Sequence, residues 1–396
     1  MTNPSDQPGT SASSRLRFLR RRAWAHAWAY VGLAFVGVTM ALPLLWMIAT
    51  SLKAPGSAVT YPPELIPREP VTWKSPTGDE LLLYTARVDG REQTVALVRN
   101  LPGAAEVLLT EGVRSGERVT LPLEGSGLAP VKRVRLHPEN YAEAWSAMQL
   151  QRGWLNFNFD YQFRVSLLGR SWVVGPWSWP GVPLRNAFLV FYLNTLLVSL
   201  AVTLGTIVTS ALAAFAFARL KFPGRNVLFL TYLATLMVPY VVTMIPIFML
   251  LTVLKLVDTY FALIVPVMFS AYGTFMLRQF FLAIPHDLED AARLDGCGHL
   301  GVLRHVVLPL SKPALATLGT FTFLGTWNSF MWPLIVINST EKAPLMLGLY
   351  SFMGENVAQW NLLMAASVMV MAPVIVVFVV GQRYFIEGIV LSGMKG

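Results

Sequence analysis

The side chains that could do chemistry gather in one polar stretch, residues 284–313, read IPHDLEDAARLDGCGHLGVLRHVVLPLSKP and set between two strongly apolar segments. Asp287, Glu289 and Asp290 crowd together just ahead of Ala291 and Ala292. Acidic groups suit the start of a helix, where backbone N–H groups lack partners. Asp287 is placed to cap such a helix, with Asp290 three residues on. The two alanines leave one face small, so that another protein's groove could close around it. Gly296 permits a bend, and a second short helix is expected over about 298–307, stopping before Pro309. The chemistry on offer is an ion pair with a docking partner.

Bond-making chemistry has no comparable signature. A phosphate-loop ATPase needs Gly-Lys-Ser/Thr, so that backbone amides and a lysine cradle phosphates. The only lysine followed by Ser or Thr is Lys74, which follows Trp73. His26, His137, His286, His299 and His305 show no metal-ligand pairing inside an apolar run. The single cysteine, Cys297, excludes disulfides, iron–sulfur clusters and cysteine-based zinc sites. No catalytic residue, no metal site and no cofactor of its own is expected.

The elements that hold the polar stretch are apolar. The chain is 54% hydrophobic and 13% charged, against about 25% charged residues in soluble domains. Six charge-free runs stand out, at 23–52, 186–218, 226–254, 259–277, 313–340 and 356–382. Each reaches the length of about 20 residues that crosses a bilayer as a helix. The expectation is an all-α polytopic membrane protein with six transmembrane helices. The first run is too long, and lacks the small-residue site, for a cleaved signal peptide. Residues 1–22 read as a disordered basic N-terminus.

Fourteen basic residues fall on one side of these runs, among them Arg15, Arg17, Arg20, Arg21, Arg22, Arg219, Lys221 and Arg225; the short loops opposite carry only Lys255 and Lys342. Both termini are therefore expected in the cytoplasm. The net charge of +9 is mostly a topology signal and not a nucleic-acid site. The run interiors hold no Asp, Glu, Lys or Arg, which argues against a proton- or sodium-driven carrier. Energy must then come from a separate protein on the cytoplasmic face.

The segment 53–185 holds 15 of the 31 Lys and Arg and 13 of the 22 Asp and Glu, as a long extracytoplasmic loop is free to do. Within it, ELLLYTARV, Asp89-Gly90 and REQTVALV read as one β-hairpin, and EVLLTEGV and ERVTLPL as another. A small β-rich insert at about 71–130 is expected. The Trp172, Trp177 and Trp179 cluster suits a membrane interface better than a sugar-stacking surface.

The polar stretch resembles the EAA loop of ABC importer permeases, with Asp290, Ala291, Ala292, Gly296, Val307, Leu308 and Pro309 in the places of its pattern. Further stretches, HPENYAEAW at 137–145, ARLKFPG at 218–224, LVDTY at 256–260, WNSFMWPL at 327–334 and the tail RYFIEGIVLSGMKG, are similar to MalG-type permeases of carbohydrate importers. The resemblance covers about 28–70 and 131–396, apart from an expanded 152–184.

It implies a type I ABC importer permease fold, in which 186–396 is the permease core with helices 2–6, and 284–313 is the coupling loop. The partners it implies are a MalF-like second permease, two ATPase subunits that carry ATP and Mg, an extracytoplasmic solute-binding protein and membrane lipid. Asp290 stands where the family has Glu, with Glu289 just before it, so either carboxylate could meet the ATPase. The loop 350–361 lies where the family probes its binding protein, with Gly354, Glu355 and Asn356 at the tip. Trp327, Asn328 and Trp332 are candidates for the substrate pathway, although helix packing is the preferred role for them. The substrate is read as a di- or oligosaccharide. A glycerol phosphodiester or polyol permease of the same architecture, and a secondary transporter with broken midplane helices, are the alternatives.

Overall fold

The computed structural model describes residues 12–58, 64–75, 78–88, 90–110, 115–123, 127–150, 154, 157–159, 163–167, 170–174, 177–179, 182–355 and 359–393. The chain divides into two compact units, Met1–His137 and Pro138–Gly396.

The first unit opens with helix α1, Ala12–Ser51. The helix starts inside the basic N-terminus that was expected to be disordered up to residue 22. After Gly9 the sequence offers no Pro or Gly until Gly32, and its Arg, Leu and Ala residues favour helix, so the turn propagates outward from the apolar run. Along the span from His26 to Ser51, large apolar side chains such as Trp28, Leu33, Phe35 and Met40 stand exposed.

The described residues then form the strands β1 (Arg68–Pro70), β2 (Thr72–Lys74), β3 (Glu80–Val88), β4 (Arg91–Leu101), β5 (Ala104–Leu109), β6 (Arg118–Pro122), β7 (Ala129–Pro130) and β8 (Lys132–Val134). Strands β2-β3-β4-β5-β6 form an antiparallel sheet in that order, with β7 on β3. Alternate residues of the central strands bury Ala86, Val88, Val95, Val107 and Leu109 in a small core. Strands β1 and β8 make a separate ladder, across which Arg133 donates to Glu69 at 2.8 and 2.9 Å.

The second unit begins with α2 (Glu139–Ser146), then two strand pairs, β9 (Phe157–Phe159) with β12 (Trp177–Trp179) and β10 (Phe163–Leu167) with β11 (Arg170–Val174). Residues 138–150 and Trp154 are tied to the helices: Leu150 N donates to Arg185 O, Trp154 Nε1 donates to Asn194 Oδ1, and Asn361 Nδ2 donates to Asn140 Oδ1.

The helices are α3 (Ala187–Arg219), α4 (Arg225–Ala234), α5 (Tyr240–Val253), α6 (Tyr260–Ile264), α7 (Ala271–Leu282), α8 (Asp287–Leu294), α9 (His299–Val302), α10 (Leu308–Leu310), α11 (Lys312–Trp327), α12 (Met331–Val336), α13 (Leu345–Glu355) and α14 (Trp360–Gly393). Among the described residues, three helices are long and apolar enough to cross a membrane unbroken, within α1, α3 and α14. Two more spans are possible only as bent pairs, 225–237 with 240–253 at 100° and 299–310 with 312–327 at 80°.

Six transmembrane helices were expected; the described residues hold three unbroken candidate spans and two bent pairs. Hydropathy does not register proline. Pro239 pushes Val238 into an extended conformation and ends the turn at Thr235–Met237. The run 259–277 splits into α6, capped by Thr259, and α7, capped by Ser270, with Pro266 between them.

The long helix α3 is the centre of this unit and packs against α7 and α11. Small residues let the helices approach. A Cβ on Gly273 would meet Ser210 at 2.7 Å, and one on Gly348 would meet the Phe191 ring at 2.1 Å.

Candidate coupling site

The polar stretch is built on the cytoplasm-expected end of α3. Helix α3 ends at Arg219, and α8 lies against it, reached from α7 through the turn 283–286. The apolar side of the elbow buries Ala292, Val302, Leu303 and Val307 against Ala218, Leu277, Phe281 and Ile284. That burial fixes which face of α8 turns outward.

Arg219 organises the polar side. Its Nε lies 2.7 Å from Glu289 Oε1, with the two side chains 0% and 3% exposed. The N–H does not point along this contact, so it is an ion pair and not an aligned hydrogen bond. Nη2 donates to the carbonyls of Phe281 at 2.5 Å and Ile284 at 2.6 Å. Nη1 lies 3.0 and 3.1 Å from the ring nitrogens of His286. One guanidinium therefore satisfies carbonyls at the end of α7 and holds a carboxylate on α8. Its planar fork of donors suits that role better than a lysine ammonium would.

Three details depart from the sequence reading. Asp287 is the first residue of α8 and not its cap; His286 precedes it, and its carbonyl accepts from Glu289 N and Asp290 N. The second helix does not stop before Pro309. A π-helical segment, Leu303–Val307, leads into α10 and carries the chain through the proline, since the wider turn accommodates a residue without an N–H. Glu289, one of two carboxylates considered for the ATPase, is turned inward and spent on Arg219.

Asp290 and Ala291 are exposed, while Ala292 faces the core. Gly296 has φ +86°, and Cys297 N donates to Ala292 O across it. This is the left-handed close of a helix, where glycine carries no steric penalty. Leu308 is half-buried and Pro309 exposed. Beside α8 opens a cleft of about 770 Å³ lined by Arg219, Lys221, Phe222, His286, Asp290 and Arg293, among others.

The other candidates lie elsewhere. Trp327 and Trp332 are buried, and each spends its indole N–H on a carbonyl, of Val370 and Ala262 respectively. Trp332 also walls a small cavity of about 200 Å³ with Tyr240, Thr326 and Ser329. Asn328 is exposed and donates to Leu324 O. Gly354 and Glu355 form the last turn of α13, not the tip of a loop, and Asn356 lies outside the described residues. Among the described residues no group of three or more His, Cys, Asp or Glu could hold a metal ion.

Sequence reasoning passed over the polar centre at the other end of α3. Asn194 Nδ2 donates to Glu341 O and Ala343 O, both at 2.9 Å, and its Oδ1 accepts from Trp154 Nε1 and Tyr260 Oη. An asparagine in an apolar run was the available signal. Nearby, Asp258 binds Ser339, the Asn338 amide and Lys342. Burial pushes the Asp258 carboxyl up, but these donors outweigh it and leave the group below its ordinary value.

Comparison with known proteins places this geometry. The model of the family described as binding-protein-dependent transport system inner membrane component matches residues 201–390. The arabinooligosaccharides transport system permease protein AraQ of Halalkalibacterium halodurans is 36% identical over 220 residues, which cover 56% of this chain and 75% of that protein. The chain belongs to this family. The permease is also similar to AraQ of Bacillus subtilis, 37% identical over 53% of this chain and 75% of that one. The sn-glycerol-3-phosphate transport system permease protein UgpE of Salmonella typhimurium is 38% identical over 54% and 76%. A crystal structure of a bacterial ABC transporter involved in the import of alginate shares the fold, with a TM-score of 0.56 at 20% identity, covering 96% of this chain and 100% of that one. The permease is thus an inner-membrane component of a transport system and not itself an enzyme.

Proposed function

We propose that this permease is one half of the pore of a carbohydrate ABC importer and admits a di- or oligosaccharide by alternating access. A MalF-like second permease would complete the pore. Two ATPase subunits, carrying ATP and Mg, would dock below, and a solute-binding protein above. The observation that carries this reading is the presentation of α8: of the two adjacent carboxylates, Asp290 points outward together with Ala291, while Glu289 is locked inward by Arg219. Asp290 is then the carboxylate for the ATPase. The likeness to the two arabinooligosaccharide permeases supports a sugar as the substrate.

In this reading each of the six apolar runs crosses the membrane once, three of them with breaks, and both termini lie in the cytoplasm. The sheet at 72–130 stands outside as an insert, and the α13–α14 connection faces the binding protein. A second reading, a glycerol-phosphate permease, rests on the equal likeness to UgpE. Calorimetry of the copurifying binding protein separates them. Arabinotriose should bind and sn-glycerol 3-phosphate should not; the reverse would favour the second reading.

A further inference from the structure

Helix α3 is gripped at two points far apart. At one end Arg219 holds Glu289, the carbonyls of Phe281 and Ile284, and His286. Towards the other end, Asn194 uses both amide hydrogens on the carbonyls of Glu341 and Ala343, and its oxygen accepts from two further donors. One residue on, Thr195 Oγ1 accepts from Leu345 N at 2.6 Å. These last partners belong to the segment 341–345, which leads into α13.

Arg219 stands 25 residues after Asn194 in the same helix, about 37 Å along it at 1.5 Å per residue. That is more than the roughly 30 Å of a bilayer's hydrocarbon core. No proline interrupts α3, and its first turn is capped by Asn186, whose Oδ1 accepts from Leu189 N at 2.9 Å. The neighbouring paths are broken: 225–253 bends by 100°, and 299–327 by 80°. A bent pair can flex at its joint, whereas an unbroken helix moves as one piece. Tight contacts along its length, such as Ser210 against Gly273 and Phe191 against Gly348, also keep α3 from sliding past its neighbours.

We propose that α3 is the rod by which a displacement of α8 reaches the segment 341–345 on the far side of the membrane, with Arg219 and Asn194 as the positioning residues that couple its ends. The inference rests on the reading of α8 as the ATPase contact. It adds a mechanical path that needs no charged group inside the membrane. Neither residue touches substrate. Both hold backbone carbonyls of a neighbouring segment, so removing either should separate hydrolysis from movement.

The test uses the complete transporter in lipid nanodiscs, with Cys297→Ser and Asn338→Cys, and follows maleimide labelling at the exposed position 338. ATP with vanadate should change the labelling rate at least about threefold, within the range expected of coupled sites. Asn194→Leu should keep the ATPase subunits bound and hydrolysing while the change at 338 is lost, and Arg219→Gln should lose that change too. Exchange of the ion pair, Arg219→Glu with Glu289→Arg, should restore at least half of it. A change at 338 undiminished in both single variants would overturn the proposal. So would its absence from the parent complex. If Arg219→Gln fails to assemble and the exchange does not restore both assembly and the change, Arg219 is only a folding residue and the proposal falls. Absence of any ATPase from the parent preparation would instead count against the proposed function itself.

Discussion

Arg219 and Glu289 meet 2.7 Å apart across the junction of α3 and α8, and both side chains are shut away from solvent. The pair divides two adjacent carboxylates by role. Glu289 closes the inside of the elbow, and Asp290 is the one of the two that faces outward.

Loss of the negative charge should therefore read differently at the two positions. Asp290→Arg should abolish copurification of the ATPase subunits while leaving membrane insertion and thermal stability unchanged. Glu289→Gln leaves a buried guanidinium without its counter-charge, and breaking a buried pair costs about 3–5 kcal/mol. Its melting temperature in detergent should fall clearly. Equal melting temperatures for the two variants would contradict this division.

Gly296 should tolerate no side chain. Its φ of +86° costs an L-residue roughly 1–2 kcal/mol, and more when β-branched. Gly296→Val should lower the melting temperature and weaken ATPase recruitment together, because the bend aims α8. Gly296→Asn should be milder, since asparagine enters the left-handed region more readily.

At Gly348 the constraint is space. A β-carbon would lie 2.1 Å from the ring of Phe191, which is itself 1% exposed. Gly348→Val should destabilise the second unit by at least about 1–3 kcal/mol, as overpacked cores do. Pairing it with Phe191→Leu should recover part of the loss in a thermal melt.

Asp258 gives a pH dependence of known sign. Its carboxyl is held below the ordinary 3.8 by Ser339, Asn338 and Lys342 despite burial. A depressed acid stabilises the fold above its unfolded value, and the contribution fades as pH falls through the lower folded value. The stability difference between the parent and Asp258→Asn should be full at neutral pH and shrink below pH 3.8. A difference that grows on acidification would contradict the assignment.

Much of this was legible in the sequence, for identifiable reasons. Helix α3 could be read because 186–218 is free of charge and proline. The two hairpins could be read because Gly90 and Gly116 mark turns between runs rich in apolar and β-branched residues; the strands observed there are β3 with β4 and β5 with β6. The breaks at Pro239 and near Pro266 were missed because a hydropathy window averages over a backbone that lacks one N–H. Arg219 was counted among the cytoplasmic charges. What it does depends on the carbonyls of Phe281 and Ile284, more than sixty residues away in sequence, and no local pattern reports such a partner. For Trp327 helix packing was the preferred reading, and its ring stacks on Phe323 at 5.5 Å inside the bundle.

The most direct measurement is uptake of radiolabelled arabinotriose into proteoliposomes. The full assembly of this permease, its partner permease, the ATPase subunits and the binding protein should accumulate the sugar only with ATP on the ATPase side, and Asp290→Arg should stop it. Accumulation by this chain alone, without ATP or the other subunits, would contradict the importer mechanism outright.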